Sequence, residues 1–217
     1  MDILLDDSEV RVLGCLMEKE MATPDYYPLS LNTLTNACNQ KSNRTPVVSY
    51  AEETVVAALD GLKEKKMVRQ SNLSRVPKYE QIFSRELNLV IREEAVICIL
   101  LVRGPQTIGE IRGRTERLYA YEDLNEVQTT VSSLEEMGLI TKLSRQPGRK
   151  ESRYMHLFGG EPEEHVAQPT LSPQETEITE IGHDKDRIGQ LQEQVDNLQL
   201  EVQELRGELE AFKLQFE

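Results

Sequence analysis

The sequence predicts an α+β fold that is mainly helical, with two small β-hairpin wings and a C-terminal coiled-coil helix. Three observations predict it. Apolar residues recur at helical spacing through most of the first 140 positions, and short alternating segments follow each group of helices. A heptad pattern then runs to the end of the chain.

The first 86 residues predict three helices followed by a hairpin. Helical periodicity marks segments 8–21, 30–39 and 49–66, and prolines at 24 and 28 break the chain between the first two. In the third segment we expect Val55, Val56, Leu59 and Leu62 to point inward. Segments 67–70 and 79–83 have the composition of two strands joined by a turn.

The same order recurs in residues 87–158. Helices are predicted at 87–102, 107–114 and 123–137, with Val90 and Leu124 on their inward faces, and strands at 139–144 and 152–158. Leu34 matches Ile111 at an offset of 77 residues, and Tyr79 matches Tyr154 at 75. A repeat of this length is the size of a domain, and three helices plus a hairpin is the winged-helix plan. We therefore expect winged-helix domains at 1–86 and 87–158, the alternative being one irregular α+β domain.

One stretch of sequence carries a specific resemblance. The run from Tyr27 to Arg44, followed by Pro46-Val47, resembles the signature of the uncharacterised bacterial YceH-like family, and segments 103–112 and 147–154 resemble motifs of its second half. The resemblance covers about residues 8–160. It implies a tandem winged-helix fold, and it implies no catalytic or ligand-binding residues.

Composition narrows the class of protein. The 217 residues carry a net charge of −13, and residues 159–217 hold most of it, with 15 acidic and four basic residues. The longest apolar runs are too short to cross a membrane, and the N-terminus lacks the basic start of a signal peptide. Three scattered cysteines do not make a disulfide framework. We therefore expect a cytoplasmic protein without membrane contact.

Candidate catalytic residues are few. His156 lies on a predicted strand, and the other two histidines, His165 and His183, lie in the acidic segment. The sequence has no zinc-ligand spacing, phosphate-binding loop or nucleophile elbow. We expect no enzyme, no metal and no cofactor. Cys15 and Cys98 fit buried thiols, whereas Cys38 borders a polar loop and could instead be reactive.

The predicted fold suggests nucleic-acid binding, but the third helices of the two repeats begin with acidic residues. Glu52 and Glu53 occur in the first, and Asp123 and Glu126 in the second. This argues against ordinary major-groove readout by either helix. Basic residues instead occupy the predicted wings and the loops near the helices, where they could hold phosphates or simply be solvated. These candidate contacts are Lys41, Arg44, Arg75, Lys78, Arg112, Arg114, Lys142, Arg145, Arg149 and Lys150.

Asparagines recur at 32, 36, 39 and 43, before the third helix. Asn side chains can bind adenine edges, but more often they satisfy turns and helix ends. We favour the structural role here.

The last 59 residues predict two segments of different kinds. Residues 159–186 contain eight acids and three prolines, the composition of a disordered linker. Residues 187–217 predict a coiled-coil helix that pairs two chains in a homodimer, with β-branched residues at a and leucines at d. Its seam is Ile188, Leu191, Val195, Leu198, Val202, Leu205, Leu209 and Phe212. The alternative is a single amphipathic helix that folds back on its own domains.

Together these features predict a non-enzymatic tandem winged-helix protein, either DNA-binding or transcription-associated, that contacts phosphates of double-stranded DNA through wings and loops. The alternative is an adaptor that uses the same helices and the coiled coil to dock a protein partner.

Overall fold

Helices and small antiparallel sheets form a mixed α+β architecture, in agreement with the predicted class. A computed structural model describes residues 4–71, 76–144 and 151–160. These residues all belong to one compact unit, Met1–Glu163. Apart from Gly159 and Gly160, the predicted linker and the whole coiled-coil seam lie outside the described residues.

The first half follows the predicted order and adds one short strand. Its elements are α1 (Asp7–Ala22), β1 (Leu29–Ser30), α2 (Leu31–Cys38), α3 (Glu52–Glu64), β2 (Val68–Ser71) and β3 (Lys78–Gln81). The sheet order is β1-β3-β2, and both pairings are antiparallel. Leu29 on β1 pairs with Tyr79 on β3, so the chain entering α2 is tied to the hairpin.

The second half repeats this plan. Its elements are α4 (Phe83–Glu86), α5 (Ile91–Arg103), α6 (Ile108–Thr115), α7 (Leu124–Glu136), β4 (Ile140–Lys142) and β5 (Tyr154–His156). An antiparallel bridge joins Gln106 to Tyr154 through backbone hydrogen bonds of 3.0 and 2.8 Å. This bridge stands where Leu29 and Tyr79 pair in the first half, so the repeat extends from the sequence to the strand topology.

Side-chain caps begin several of the helices. Asp6 accepts from the backbone N–H of Glu9 at 2.9 Å, and the Glu9 carboxylate accepts from the Asp6 N–H at 2.9 Å. Thr107 and Glu110 make the same reciprocal pair at the start of α6. Such pairs satisfy N–H groups that a helix leaves unbonded at its first turn, which explains why α1 and α6 start where they do.

Helices α1 and α5, the first long helices of the two halves, pack directly against each other. Gly14 makes this approach possible, because a Cβ there would lie 2.8 Å from Val102 Cγ1 and 2.9 Å from Leu101 Cβ. The Cys98 thiol donates to the Gly14 carbonyl at 3.6 Å. A second close contact, at Gly61, brings α3 against the buried Glu9 carboxylate of α1. In the part of the chain that the structure describes, no helix is long and apolar enough to cross a membrane.

Four local predictions were wrong. Phe83 belongs to helix α4 rather than to the preceding strand, because its buried ring packs edge-on against Phe158 at 5.2 Å. Val56, Val90 and Leu124 were expected to point inward but are 38%, 45% and 50% exposed. Val90 and Leu124 lie at the starts of α5 and α7, outside the parts of these helices that pack in the core. Val56 lies next to the buried face of α3 that Val55 and Leu59 form.

Candidate nucleic-acid interface

Helix α7 exposes three neutral polar side chains in its first two turns. Asn125, Gln128 and Thr129 are exposed, while Val127 and Val131 on the opposite face are fully buried. Asn and Gln side chains have the donor and acceptor pair that matches the major-groove edge of adenine. The exposed face of α7 is therefore chemically suited to base contacts.

The acidic residues at the start of α7 are engaged within the protein. Asp123 accepts from the Glu126 N–H at 2.8 Å and so caps the helix. The two oxygens of Glu126 accept from the Tyr119 hydroxyl at 2.7 Å and from the Glu122 N–H at 3.0 Å. These bonds direct both carboxylates to the helix end. Asp123 stays exposed and a hydrogen-bonded carboxylate keeps its charge, so the sequence argument against base contacts by α7 stays a prediction.

Helix α3 has a different surface. Glu52, Glu53 and Asp60 are exposed along it, and only Asp60 has an ion-pair partner among the described residues, Lys63 at 2.7 Å. The exposed Val56 lies between them on the helix. The two repeat-equivalent helices differ near their starts, since α3 exposes Glu53 where α7 exposes Asn125, and each also exposes one apolar side chain, Val56 or Leu124.

Arg44 is buried and cannot reach a phosphate, so the prediction that it is an exposed phosphate contact was wrong. Its side chain is fully covered, and its guanidinium donates to both Glu18 oxygens, at 3.2 and 2.5 Å. It also donates to the carbonyls of Ala37 and Asn43 and to the Gln40 side chain. Burial opposes its charge, but the hydrogen bond to Glu18 raises the pKa of Arg44 above its ordinary value. Arg44 therefore holds the loop between α2 and α3 against α1.

Arg114 is also largely engaged. It donates to the Gln106 side chain and lies 3.6 Å from a Glu110 oxygen, which also pairs with Arg153 at 3.0 Å. This network ties α6 to the chain around β5. Arg112 differs, because it remains exposed while donating to the Glu122 carbonyl at 3.0 Å, next to the first turn of α7.

The remaining predicted cations divide into exposed, half-buried and undescribed residues. Lys41 and Lys142 are exposed, the latter at the end of β4, and Lys78 is half-buried on β3. Arg75, Arg145, Arg149 and Lys150 lie outside the described residues. The predicted cations that are exposed among the described residues are therefore Arg112 and Lys142 in the second repeat and Lys41 in the loop before α3.

The asparagines at 32, 36, 39 and 43 make local hydrogen bonds, in keeping with the structural role that the sequence favours. Asn39 donates to the Tyr50 carbonyl at 2.9 Å and accepts from the Tyr50 N–H at 2.7 Å, which closes the loop before α3. Asn43 adopts a left-handed conformation, with φ of 60°, and accepts from Arg103 on α5. Asn36 donates to Asn32 at 3.0 Å on the surface of α2.

The reactive groups of the described chain are buried. Cys38 is fully covered, and its hydrogen bond with Cys15 together with burial raises the pKa of its thiol, so the reactive alternative for Cys38 was wrong. Burial lowers the pKa of His156 to about 4, and its Nδ1 has no hydrogen-bond partner. No cluster of three or more His, Cys, Asp or Glu side chains that could hold a metal occurs among the described residues.

Comparisons with known proteins give a family without an assigned activity. A family model described as "Protein of unknown function, DUF480" matches residues 5–149. A UPF0502 protein from Pelobacter propionicus is 50% identical over 220 residues, and one from Solibacter usitatus is 51% identical over 219. UPF0502 protein GSU0233 from Geobacter sulfurreducens is 49% identical over 220 residues. Each of these alignments covers 100% of both chains.

Proposed function

This chain belongs to the DUF480 family, and from that premise we propose that it is a tandem winged-helix protein that binds double-stranded DNA and performs no catalysis. The order helix, helix, helix, strand, strand occurs twice, with a short strand (β1) before the second helix of the first half and a single bridge at Gln106 in the second, and this order is typical of a winged helix. The YceH-like resemblance of residues 27–47 supports the same fold.

The observation that carries the proposal is the exposure of neutral polar side chains near the start of α7. In a winged helix the third helix enters the major groove, and α7 is the third helix of the second repeat. Its exposed Asn125 and Gln128 offer donors and acceptors, while Asp123 caps the helix and Glu126 accepts from the Tyr119 hydroxyl. Arg112 beside the start of α7 and Lys142 on the following hairpin supply cations for phosphate.

In this proposal the first repeat makes no base contacts. The exposed carboxylates of Glu52 and Glu53 on α3 would be repelled by the DNA backbone. The second repeat therefore carries the base contacts. Pairing of residues 187–217 into a coiled coil would place two copies of α7 on one duplex and so increase affinity through a second contact.

A matched pair of substitutions tests this division. Asn125 on α7 and Glu53 on α3 occupy equivalent positions, the second residue of each helix. Asn125→Ala should weaken binding to the preferred duplex, whereas Glu53→Ala should leave it unchanged or tighten it. Replacing Arg112 or Lys142 by Ala should each flatten the slope of log K against log salt by about 0.9, because each removes one phosphate contact.

The measurement is titration of a labelled duplex at several salt concentrations, with the target first chosen by selection from random sequences. The absence of binding at low salt would refute the proposal. An equal loss of DNA affinity in Asn125→Ala and Glu53→Ala would refute the assignment of base contacts to α7.

A protein adaptor is the second candidate, and the surface of α3 favours it. Glu53, Val56 and Asp60 combine negative charge with an exposed apolar side chain, a pattern that suits a basic protein segment. Recovery of the tagged protein from its host, with and without nuclease, separates the two functions. A partner that survives nuclease and is lost with Glu53→Lys would support the adaptor.

A further inference from the structure

Four side chains are exposed in the first two turns of α7, and they limit which base pairs the helix can read. They are Leu124, Asn125, Gln128 and Thr129. No arginine or lysine occurs in this helix. Because guanine is most often read by Arg or Lys through its O6 and N7 atoms, α7 lacks the side chains that usually select a G·C pair.

The amides of Asn125 and Gln128 match adenine. A side-chain amide accepts through its oxygen and donates through its nitrogen, which fits the N6 amino group and the N7 atom of adenine. Neither amide has a hydrogen-bond partner among the described residues, whereas the amide of Asn39 in the first repeat is bonded to Tyr50. Three residues advance roughly 4.5 Å along a helix, close to the roughly 3.4 Å between base pairs. The two amides can therefore reach neighbouring base pairs.

Leu124 and Thr129 place apolar groups beside these amides. The Thr129 hydroxyl donates to the Asn125 backbone carbonyl at 3.0 Å, so the methyl group is the part of this side chain left for a partner. Leu124 is 50% exposed and lies four residues before Gln128, on the same side of the helix. Apolar side-chain groups contact the C5-methyl group of thymine, the base that pairs with adenine.

The carboxylates near this surface are less suited to base contacts. Asp and Glu can accept from the N4 amino group of cytosine. Glu126 is half-buried, and its two oxygens already accept from the Tyr119 hydroxyl and the Glu122 N–H. Asp123 is exposed, but it precedes the helix and its Oδ1 accepts from the Glu126 N–H at 2.8 Å. The exposed groups of α7 itself therefore favour A·T over G·C pairs.

We propose that α7 reads A·T base pairs in the major groove. Asn125 and Gln128 contact adenine, and Leu124 and Thr129 contact the methyl groups of thymine. This inference rests on the proposed function, since it names the DNA that the second repeat selects.

Base analogues test the groove and the base pair together. The probe is a labelled duplex chosen with the full chain by selection from random sequences. An inosine·cytosine pair has the major groove of G·C and the minor groove of A·T, and a diaminopurine·thymine pair has the reverse. Inosine·cytosine at a contacted A·T pair should weaken binding at least about fivefold, the lower limit for loss of one paired base contact. Diaminopurine·thymine at that pair should leave the affinity unchanged.

Uracil in place of thymine tests the methyl contacts, because it removes only the C5-methyl group. Each contacted methyl that is lost should weaken binding about fourfold. Thr129→Ser removes the methyl from the protein and keeps the hydroxyl. It should weaken binding to the thymine duplex by a similar factor, and it should cost nothing further on the duplex with uracil at the contacted position.

Gln128→Ala provides the matching test of the amide. This variant should bind the selected duplex more weakly and should lose the penalty for inosine·cytosine at one position, which a general loss of affinity would not do. Asn36→Ala is the control, since it removes an exposed amide from α2 in the first repeat, and it should behave like the parent on every duplex. Circular dichroism melts confirm that each variant is folded.

The outcomes separate this inference from DNA binding as such. If the parent binds no duplex at low salt, both are refuted. If the parent binds but selects G·C pairs, or tolerates inosine·cytosine at every position, the reading of A·T pairs is overturned while DNA binding stands. A preserved inosine·cytosine penalty in Gln128→Ala and Asn125→Ala at every position would also overturn it.

Discussion

Replacing Arg44 by Met should strongly destabilise the protein. The substitution removes a guanidinium whose side chain is fully covered, and it leaves Glu18, itself only 15% exposed, without its cation. Breaking one partner out of a buried ion pair typically costs about 3–5 kcal/mol. Because Glu18 keeps some access to water, we expect a value near the lower end, about 3 kcal/mol. Total stabilities of such proteins are about 5–15 kcal/mol, so this is a large share.

Urea unfolding of the full chain, followed by far-UV circular dichroism, measures the effect. Lys41→Met is the matched control, because Lys41 lies on the same loop but is exposed, and it should change stability by less than about 0.5 kcal/mol. Glu18→Gln should cost less than Arg44→Met, since Arg44 would keep its bonds to Ala37, Asn43 and Gln40. Equal unfolding midpoints for Arg44→Met and Lys41→Met would refute the structural role of Arg44.

DNA binding should depend on Lys41 and not on Arg44, whereas stability should depend on Arg44 and not on Lys41. A phosphate contact contributes about 0.9 to the salt slope, and a buried guanidinium contributes nothing. If Lys41 touches the duplex, Lys41→Met should flatten the slope while Arg44→Met, measured where it is folded, should not. A flattened slope with Arg44→Met would restore Arg44 as a phosphate contact.

Three further predictions concern pH, packing and assembly. The pKa of His156 is about 4 in the folded protein against 6.5 for the free side chain, so the unfolded state binds the proton first and stability should fall as pH drops from 6.5 toward 4. The loss should reach about 3 kcal/mol, and His156→Phe should lack it in urea titrations at each pH. Gly14→Ala should lower stability by about 1–3 kcal/mol because its Cβ would meet Val102 and Leu101, whereas Gly113→Ala, with no atom within 4 Å, should raise it by up to about 1 kcal/mol; thermal melts of both variants decide this. A chain shortened to end at Gly160 should stay folded but sediment as a monomer while the full chain sediments as a dimer; a full chain that also sediments as a monomer would indicate that the heptad segment packs within its own chain.

Most of the fold was predictable because it follows from local pattern. The apolar spacing of the helices, the turn residues and the capping pair at Thr107 and Glu110 act within a few residues of one another. The offset of about 75 residues then predicted that the second half repeats the first, and the bridge from Gln106 to Tyr154 confirms it in the strand topology. The winged-helix identity and the dimer remain predictions.

The candidate site was harder to predict, because its properties depend on what each charge contacts. Counting residues at the start of α7 gave the acidic side chains but not their contacts: Asp123 accepts from the Glu126 N–H, and Glu126 accepts from the Tyr119 hydroxyl and the Glu122 N–H.

By itself the sequence determined which segments are helices and strands, that their order occurs twice, and where acidic charge concentrates, because these properties depend on neighbours a few residues apart. Only the tertiary structure decided which basic residues remain accessible. Arg44 is buried because α1 brings Glu18, 26 residues away in sequence, within 2.5 Å of its guanidinium, while Lys41 three positions earlier stays in solvent. Burial of a charge depends on the partner that folding brings to it, and composition does not contain that information.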